Sequence, residues 1–362
     1  MTRAAMYAFD IGGTWFRSAL VMPEGDLVYD SRCPAINYIS NPERSPEELQ
    51  EALVEWLVSE TDRISETEVN KSEVVAISLG AAVDHRTGEV LGSGPLWGPR
   101  ARPFNLVQRL RNRKPQFRWN IINDVTAHLL DAISQLPSNP LDRYGKVMLI
   151  TVSTGIGART VQLYDLRVPV DPVCGLQGEI GHLPVTVMFG NRTWHRQCEC
   201  GGKDHLNAFA SGRGIDGLLA DIRFTDPSLL AGSILGYENA GVSVLASAVS
   251  DLDPVACSFL DAVTRPLADI LRTTFTVDPD LRHLFLTGGV VHGLGQAYLR
   301  SLGTNFAMAG LYQVTDREPA FLDQRLSLIE TDNGAGIRGA ALAATLSKVS
   351  TSLWQGMEAS DA

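Results

Sequence analysis

One structural plan is written twice in this chain. Ala5 to Phe9 is a short apolar strand that runs into Asp10 and a glycine pair. Arg17 to Met22 resumes as a strand, so "DIGGT" predicts the turn of a hairpin. From Lys146 the pattern returns, since "KVMLITVSTGIGART" is an apolar strand, a Ser/Thr-Gly turn and a strand running back. A third apolar strand, "HLFLTGGVV" (His283 to Val291), also runs into Gly-Gly. Two such units half a chain apart predict a duplicated fold rather than an array of short repeats. Strands alternating with helices point to an α/β architecture.

The helices announce themselves more locally. Over Ser45 to Ser59, Ser45 caps the helix, Pro46 takes the first position and Glu48 completes a capping box. Leu49, Ala52, Leu53, Trp56 and Leu57 then form one apolar stripe at helical spacing. "VVAISLG" (Val74 to Gly80) and "WNIIND" (Trp119 to Asp124) read as buried strands ending in loops. An alanine-rich helix is expected over Ile337 to Leu346, after the glycines of "DNGAGIRG". Leu136 to Tyr144, with Pro137 and Pro140, reads as the loop before the second unit. At 362 residues two domains are expected. We draw them as 1–122 with a returning helix 334–352, and 123–333.

Composition removes several function classes. An apolar fraction of 44% and a charged fraction of 20% belong to an ordinary globular protein. With 41 acidic against 31 basic side chains the net charge is −10, which disfavours nucleic acid or an anionic membrane as partner. No apolar run is long enough to span a bilayer, and Met1 to Phe9 lacks the apolar core of a signal peptide, so a cytoplasmic location is expected. Cys33, Cys174, Cys198, Cys200 and Cys257 are too few and too oddly spaced for a disulfide framework.

The glycine turns carry the chemistry. "DIGGT" combines a carboxylate, backbone N–H groups able to converge and a hydroxyl, the parts that cradle a phosphate and hold hydrated magnesium. "STGIG" offers hydroxyls and glycines without a charge, which suits a second phosphate contact. A single such turn could be no more than a tight turn; two between apolar strands, with "LTGG" ending a third, favour phosphate binding. A P-loop is excluded, because none of the five lysines has that context. "GRGIDG" (Gly212 to Gly217) matches a dinucleotide fingerprint only by chance, since what precedes it reads as helix. Asp124 ends a strand where a carboxylate can take a proton from an attacking hydroxyl; it can equally cap the helix "VTAHLLDAI".

His182 of "GEIGHLP", with Cys198, Cys200 and His205 of "QCECGGKDH", makes a four-ligand N/S set that fits a closed tetrahedral zinc site. No coordination position stays open, so the zinc is expected to be structural. His195 is a competing ligand, and two cysteines in a loop without metal are the alternative. A disulfide between Cys198 and Cys200 is sterically poor.

The ordered set "DIGGT", "ND", "STGIGA", "GEIGH", "CxCG" and "LTGG" resembles the ROK family of repressors, open reading frames and kinases, from about Tyr7 to Ala344. The resemblance implies an actin-like ATPase (ribonuclease H-like) fold with two α/β domains, ATP in the cleft, and a homodimer. It implies that Asp10, Gly12, Gly13 and Thr14 hold the γ-phosphate side and Mg2+. Thr154, Gly155 and Gly157 would contact the other phosphates, and Gly288 and Gly289 would lie near the adenosine. Asp124 would be the base, Asn123 a sugar-hydroxyl ligand and Glu179 an acceptor ligand. His182 would bridge the zinc site and the acceptor pocket.

Three departures fall on the metal and acceptor sites. His205 stands where the family has the knuckle's third cysteine, Asn207 where its sugar kinases have a sugar-binding glutamate, and Pro95 of "GPLWG" where they have a sugar-binding asparagine. The phosphate motifs are intact. The expectation is therefore a kinase for a small polyol other than ordinary glucose, such as a C7-cyclitol, with glucokinase the nearest alternative. A repressor is disfavoured, because only nine residues precede Asp10 and the charge is acidic. An actin-like ATPase without an acceptor is the other rival.

Overall fold

The computed structural model describes residues 4–98, 101–135, 144–330 and 332–357. The chain forms two compact units, one of Met1–Asn139, Asp165–Gln177 and Thr331–Ala362, the other of Pro140–Tyr164 and Gly178–Glu330. The loop expected over Leu136 to Tyr144 lies, as far as Arg143, outside the described residues.

In the first unit β1 (Ala5–Ile11), β2 (Trp15–Val21) and β3 (Leu27–Pro34) form an antiparallel meander. α1 (Pro46–Ser65) leads to β4 (Lys71–Leu79), which pairs parallel to β1. A side sheet of β5 (Ala82–Asp84), β6 (Glu89–Gly92) and β7 (Phe104–Asn105) encloses the short α2 (Gly94–Trp97). α3 (Leu106–Arg113) then feeds β8 (Arg118–Asn123), parallel to β4, and α4 (Asp124–Ser134) follows at once. The main sheet has the order β3-β2-β1-β4-β8. Ile11 pairs with Leu79 and Leu79 with Asn123, so the three parallel strands end level.

The capping box stands as expected, with Ser45 accepting from Glu48 N and Glu48 from Ser45 N, and α1 runs on to Ser65. One sheet face packs Phe9, Ile11, Phe16 and Leu20 against Leu49, Leu53 and Leu57 of α1. Each such side chain removed from water contributes roughly 1.5–3 kcal/mol. Trp56 is only half-buried and meets Phe9 and Phe16 at 5.8 and 5.1 Å between ring centroids.

The second unit repeats the plan. β9 (Lys146–Val152) and β10 (Ile156–Gln162) are antiparallel, and a small hairpin, β11 (Val187–Phe189) with β12 (Arg192–Trp194), follows. α5 (Asn207–Ala210), α6 (Gly212–Thr225), α7 (Val242–Ser250) and α8 (Pro254–Val277) precede β13 (Leu281–Thr287). α9 (Gly289–Leu294), α10 (Gln296–Ala309) and β14 (Leu326–Leu328) complete it. The sheet order is β10-β9-β13-β14, a hairpin extended by parallel strands as in β2-β1-β4-β8. Gly212 to Gly217 lies inside α6, not at a strand-to-helix turn.

The strand expected through Val291 ends at Thr287. Gly288 has φ +106° and its α-carbon lies against the Val152 backbone, so only glycine turns the chain there. Val290 and Val291 consequently fall in α9, where both are buried.

The final helix, α11 (Ala335–Met357), belongs to the first unit. Its Ile337, Ala340, Ala341 and Ala344 lie on Ala8, Ala19 and Ala76, the sheet face opposite α1. Small residues on both partners permit this close seat. A Cβ at Gly339 would collide with the Ala127 carbonyl of α4, so α4 and α11 approach to backbone contact. Here the expected break at Asn123 is corrected. Residues 123–135 continue from β8 into a helix packed on α11 and stay with the first unit, as does the excursion Asp165–Gln177. Gly175 of that excursion abuts Asp84, and Arg86 bonds both Asp84 and the Pro172 carbonyl. Among the described residues no helix is long and apolar enough to cross a membrane.

Candidate active site

The level carboxyl ends of β1, β4 and β8 bring Asp10, the Gly12–Thr14 turn, Gly80 and Asp124 to one edge of the first sheet. Gly12 N–H closes the hairpin on Trp15 O at 3.0 Å, and Ala35 N–H bonds Thr14 O. The N–H groups of Gly13 and Thr14 donate to no protein atom among the described residues. Two successive uncommitted donors beside flexible backbone are what an anion cradle requires. Asn37, which the sequence reading missed, fixes the turn by donating to Gly13 O at 2.8 Å. Pro95 lies against Gly13, where an added Cβ would come within 2.6 Å of it.

Asp10 is buried. Its Oδ2 accepts from Arg17 at 3.0 Å and its Oδ1 from Ser78 at 2.9 Å, while Gly336 of α11 lets the helix approach it. Arg17 also bonds Asn333 at 3.2 Å. Two side chains thus fix the carboxylate in place.

Asn123, not Asp124, caps α4. Its Oδ1 accepts from Val125 N and Thr126 N, and its Nδ2 donates to Ala81 O and to Asp124 Oδ1, each at 2.9 Å. All four hydrogen-bonding positions of that amide are therefore engaged within the protein. Asp124 occupies the first helical position. Its Oδ1 also accepts from Val125 N, and its Oδ2 lies beside Gly80.

In the second unit the Ser153–Gly155 turn follows β9, and Thr287 of β13 is in register with Thr151. Ser153 N–H bonds Gly155 O and Gly212 N–H bonds Ser153 O. Again two successive N–H groups, of Thr154 and Gly155, donate to no protein atom among the described residues. Gly157 lies within β10, and Gly288 and Gly289 link β13 to α9 behind Ser153.

Asn207 proves central to this turn. Its Oδ1 accepts from Ile156 N at 2.7 Å and crowds Gly181 of "GEIGH", tying both motifs to the start of α5. The backbone donor fixes which amide atom is oxygen, so Nδ2 points elsewhere as a pure donor. Glu179 precedes a 3-10 turn at Ile180–His182 and receives Arg159 on Oε1 at 2.8 Å. Arg159 is the other residue the sequence reading missed. It shares a face of β10 with Gly157 and Val161, opposite Ile156 and Ala158, so the apolar alternation gave no sign that it is buried.

His182, Cys198, Cys200 and His205 each turn a donor atom to one point, all within 4.8 Å of one another. His182 Nδ1 is 3.9 Å from Cys198 Sγ, and Cys200 Sγ is 3.2 Å from His205 Nδ1. A tetrahedral zinc ion with the usual bond lengths spaces its donors by about 3.3–3.8 Å, so the set fits. Burial pushes the Cys198 thiol up, and no cysteine among those described is in a disulfide. His195 is outside this group. It is three-quarters exposed and pairs with Asp204 at 2.9 Å, which holds that carboxyl below its usual range. Backbone bonds from Leu206 N to Leu183 O and from Val185 N to Asp204 O join the knuckle to "GEIGH" independently of metal.

Comparison with known proteins agrees with this architecture. The sequence model of the ROK family matches residues 6–346. A 2-epi-5-epi-valiolone 7-kinase of Actinoplanes sp. is 37% identical over 343 residues, covering 92% of this chain and 91% of that protein. A C(7)-cyclitol 7-kinase of Streptomyces hygroscopicus subsp. jinggangensis is 30% identical over 311 residues, covering 84% of each. Among solved structures, a ROK hexokinase from Thermus thermophilus superposes with a TM-score of 0.68 at 21% identity, covering 96% of this chain and 99% of that one. The fold is thus the actin-like ATPase fold.

Proposed function

The chain belongs to the ROK family and is an ATP-dependent kinase with an alcohol acceptor, and from this premise we propose that the acceptor is a C7-cyclitol phosphorylated on its primary hydroxyl. The observation that carries the proposal is the 37% identity, over nine-tenths of both chains, to a 2-epi-5-epi-valiolone 7-kinase. Asn207 supports it from the side of the site. Its oxygen is committed to Ile156, so only a donor remains to offer, which suits a ring carbonyl or altered hydroxyl pattern of an oxidised cyclitol.

In this reading Gly12, Gly13, Thr14, Thr154, Gly155 and Gly157 serve the phosphates through backbone N–H groups and hydroxyls, with Gly288 and Gly289 at the adenosine. Asp10 would hold the magnesium that accompanies ATP and neutralises developing charge. Asp124 accepts the acceptor hydroxyl's proton as that oxygen bonds to the γ-phosphorus. The bond from the γ-phosphorus to the β–γ bridging oxygen breaks, and ADP leaves. Asn123 acts by holding Asp124 rather than by reaching a hydroxyl itself, since its amide is fully engaged. Glu179 and Asn207 address the acceptor. Zinc on His182, Cys198, Cys200 and His205 would fix the segment that bears Glu179, a positioning role on which substrate placement depends strongly.

The test is ADP release by the purified protein with 2-epi-5-epi-valiolone, other C7-cyclitols, glucose and N-acetylmannosamine. The highest kcat/KM should fall on a C7-cyclitol. A preference for glucose would overturn the acceptor and leave a ROK glucokinase; turnover indifferent to every polyol would overturn the site assignment.

A further inference from the structure

We infer that Arg159 is a positioning residue that sets acceptor affinity by locking the Glu179 carboxylate. This rests on the proposed role of Glu179 at the acceptor. Arg159 projects inward from β10 and is only 5% exposed. One guanidinium nitrogen bonds the Ala158 carbonyl at 2.6 Å and the other bonds Glu179 Oε1 at 2.8 Å. Glu179 is the only carboxylate paired with it among the described residues.

A buried guanidinium without an anion is strongly unfavourable, so this cation makes a strict demand on its surroundings. Glu179 meets the demand with one oxygen. Its side chain remains 39% exposed, and Oε2 accepts no hydrogen bond among the described residues. The result is asymmetric: one carboxylate oxygen is clamped from behind, and the other is oriented and uncommitted. That is the form needed to accept a charge-assisted bond from a ligand hydroxyl. The clamp acts at the root of the 3-10 turn, where His182 N–H bonds Glu179 O at 3.0 Å. Arg159 therefore holds the side chain, while the knuckle is tied to the same segment through His182. These are two independent restraints on one carboxylate.

The planar fork matters as much as the charge. Lysine at 159 could keep the charge but not reach both the Ala158 carbonyl and Glu179 with fixed geometry. The variants are Arg159→Met, Arg159→Lys, Glu179→Gln and the double Arg159→Met/Glu179→Gln. Each is assayed with whichever polyol the wild type turns over best, so the result is independent of whether that polyol is a cyclitol. Arg159→Met should raise acceptor KM by roughly 10- to 100-fold, the worth of an oriented charge-assisted bond, with ATP KM changed less than about twofold. Arg159→Lys should fall between it and the wild type. Because Arg159 acts through Glu179, the double variant should be no worse than Glu179→Gln alone. Equal losses for ATP and acceptor, or additive losses in the double variant, would overturn the inference and leave Arg159 a core ion pair. If Arg159→Met does not fold, Arg159→Lys combined with Glu179→Gln supplies the same cycle. No polyol-dependent turnover in the wild type would refute the kinase site itself, a separate outcome.

Discussion

Asn207→Asp is the sharpest perturbation of the acceptor side, because it changes one atom's role and almost nothing else. The wild-type amide spends Oδ1 on Ile156 N at 2.7 Å and keeps two N–H donors on Nδ2. Aspartate preserves the oxygen and the Ile156 bond, so the fold should hold. What changes is the other atom, from donor to anionic acceptor. Facing a carbonyl oxygen, that atom turns an attraction into an unpaired, repelling contact, at a cost of about 1–3 kcal/mol. This corresponds to roughly 5- to 150-fold in kcat/KM for a cyclitol bearing a ring carbonyl. Glucose, rich in hydroxyl donors, should lose nothing and gain if anything. Asn207→Leu is the control: it strips the Ile156 partner, so thermal stability and both acceptors should suffer. The assay is coupled ADP release across both acceptors, beside melting curves. Cyclitol turnover unchanged in a stably folded Asn207→Asp protein would refute the reasoning, since Nδ2 would then face nothing that matters.

Other outcomes follow from the same structure. Asp124→Asn should lower kcat by roughly 10²- to 10⁴-fold with ATP binding retained; near-normal turnover would reduce Asp124 to a helix residue held by Asn123. Elemental analysis should find one zinc per chain, lost in Cys198→Ala or Cys200→Ala together with acceptor affinity, and a chelator that leaves acceptor KM unchanged counts against it. Gly339→Ala drives a methyl into the Ala127 carbonyl, so the variant should melt well below wild type, and an unaltered melting temperature would contradict the α4–α11 packing. The Arg86 guanidinium holds Asp84 below the usual carboxylate range. A depressed folded-state pKa stabilises fully above the unfolded value, near pH 4, and the contribution disappears as pH falls through the folded value. Asp84→Asn should therefore show a weaker pH dependence of stability in that acid window than wild type; identical profiles would mean the Asp84–Arg86 pair contributes nothing.

What the sequence announced, and what it withheld, divides by the range of the interactions. Local signals were legible. Ser45, Pro46 and Glu48 marked the start of α1 to the residue, and the two glycine turns stood where apolar strands ended. The Cys/His cluster was legible because metal chemistry restricts residue type: the structure gathers donor atoms of His182, Cys198, Cys200 and His205 within 4.8 Å of one another, while His195 pairs with Asp204. The partners that restrain the site were not legible, because their meaning depends on contacts far apart in sequence. Arg17 looked like any strand arginine until Asp10 and Asn333 met it. Arg159 looked like an outward-facing strand arginine until Glu179, 20 residues on, supplied the anion. Asn207 showed as a lost glutamate, a change of charge, whereas the structure makes it a strut whose oxygen belongs to Ile156. Asn123 read as a hydroxyl ligand, and nothing in the sequence showed that it also caps α4 and donates to Asp124. In each case an exposed-looking polar residue turns inward to hold another. A carboxylate aimed at a substrate must be fixed by something else, and the fixing residue carries no motif of its own. Departures from a family's pattern beside intact motifs are therefore where such restraints should be sought. Arg159, one residue beyond the last of "STGIGA", is a restraint of this kind lying beside an intact motif.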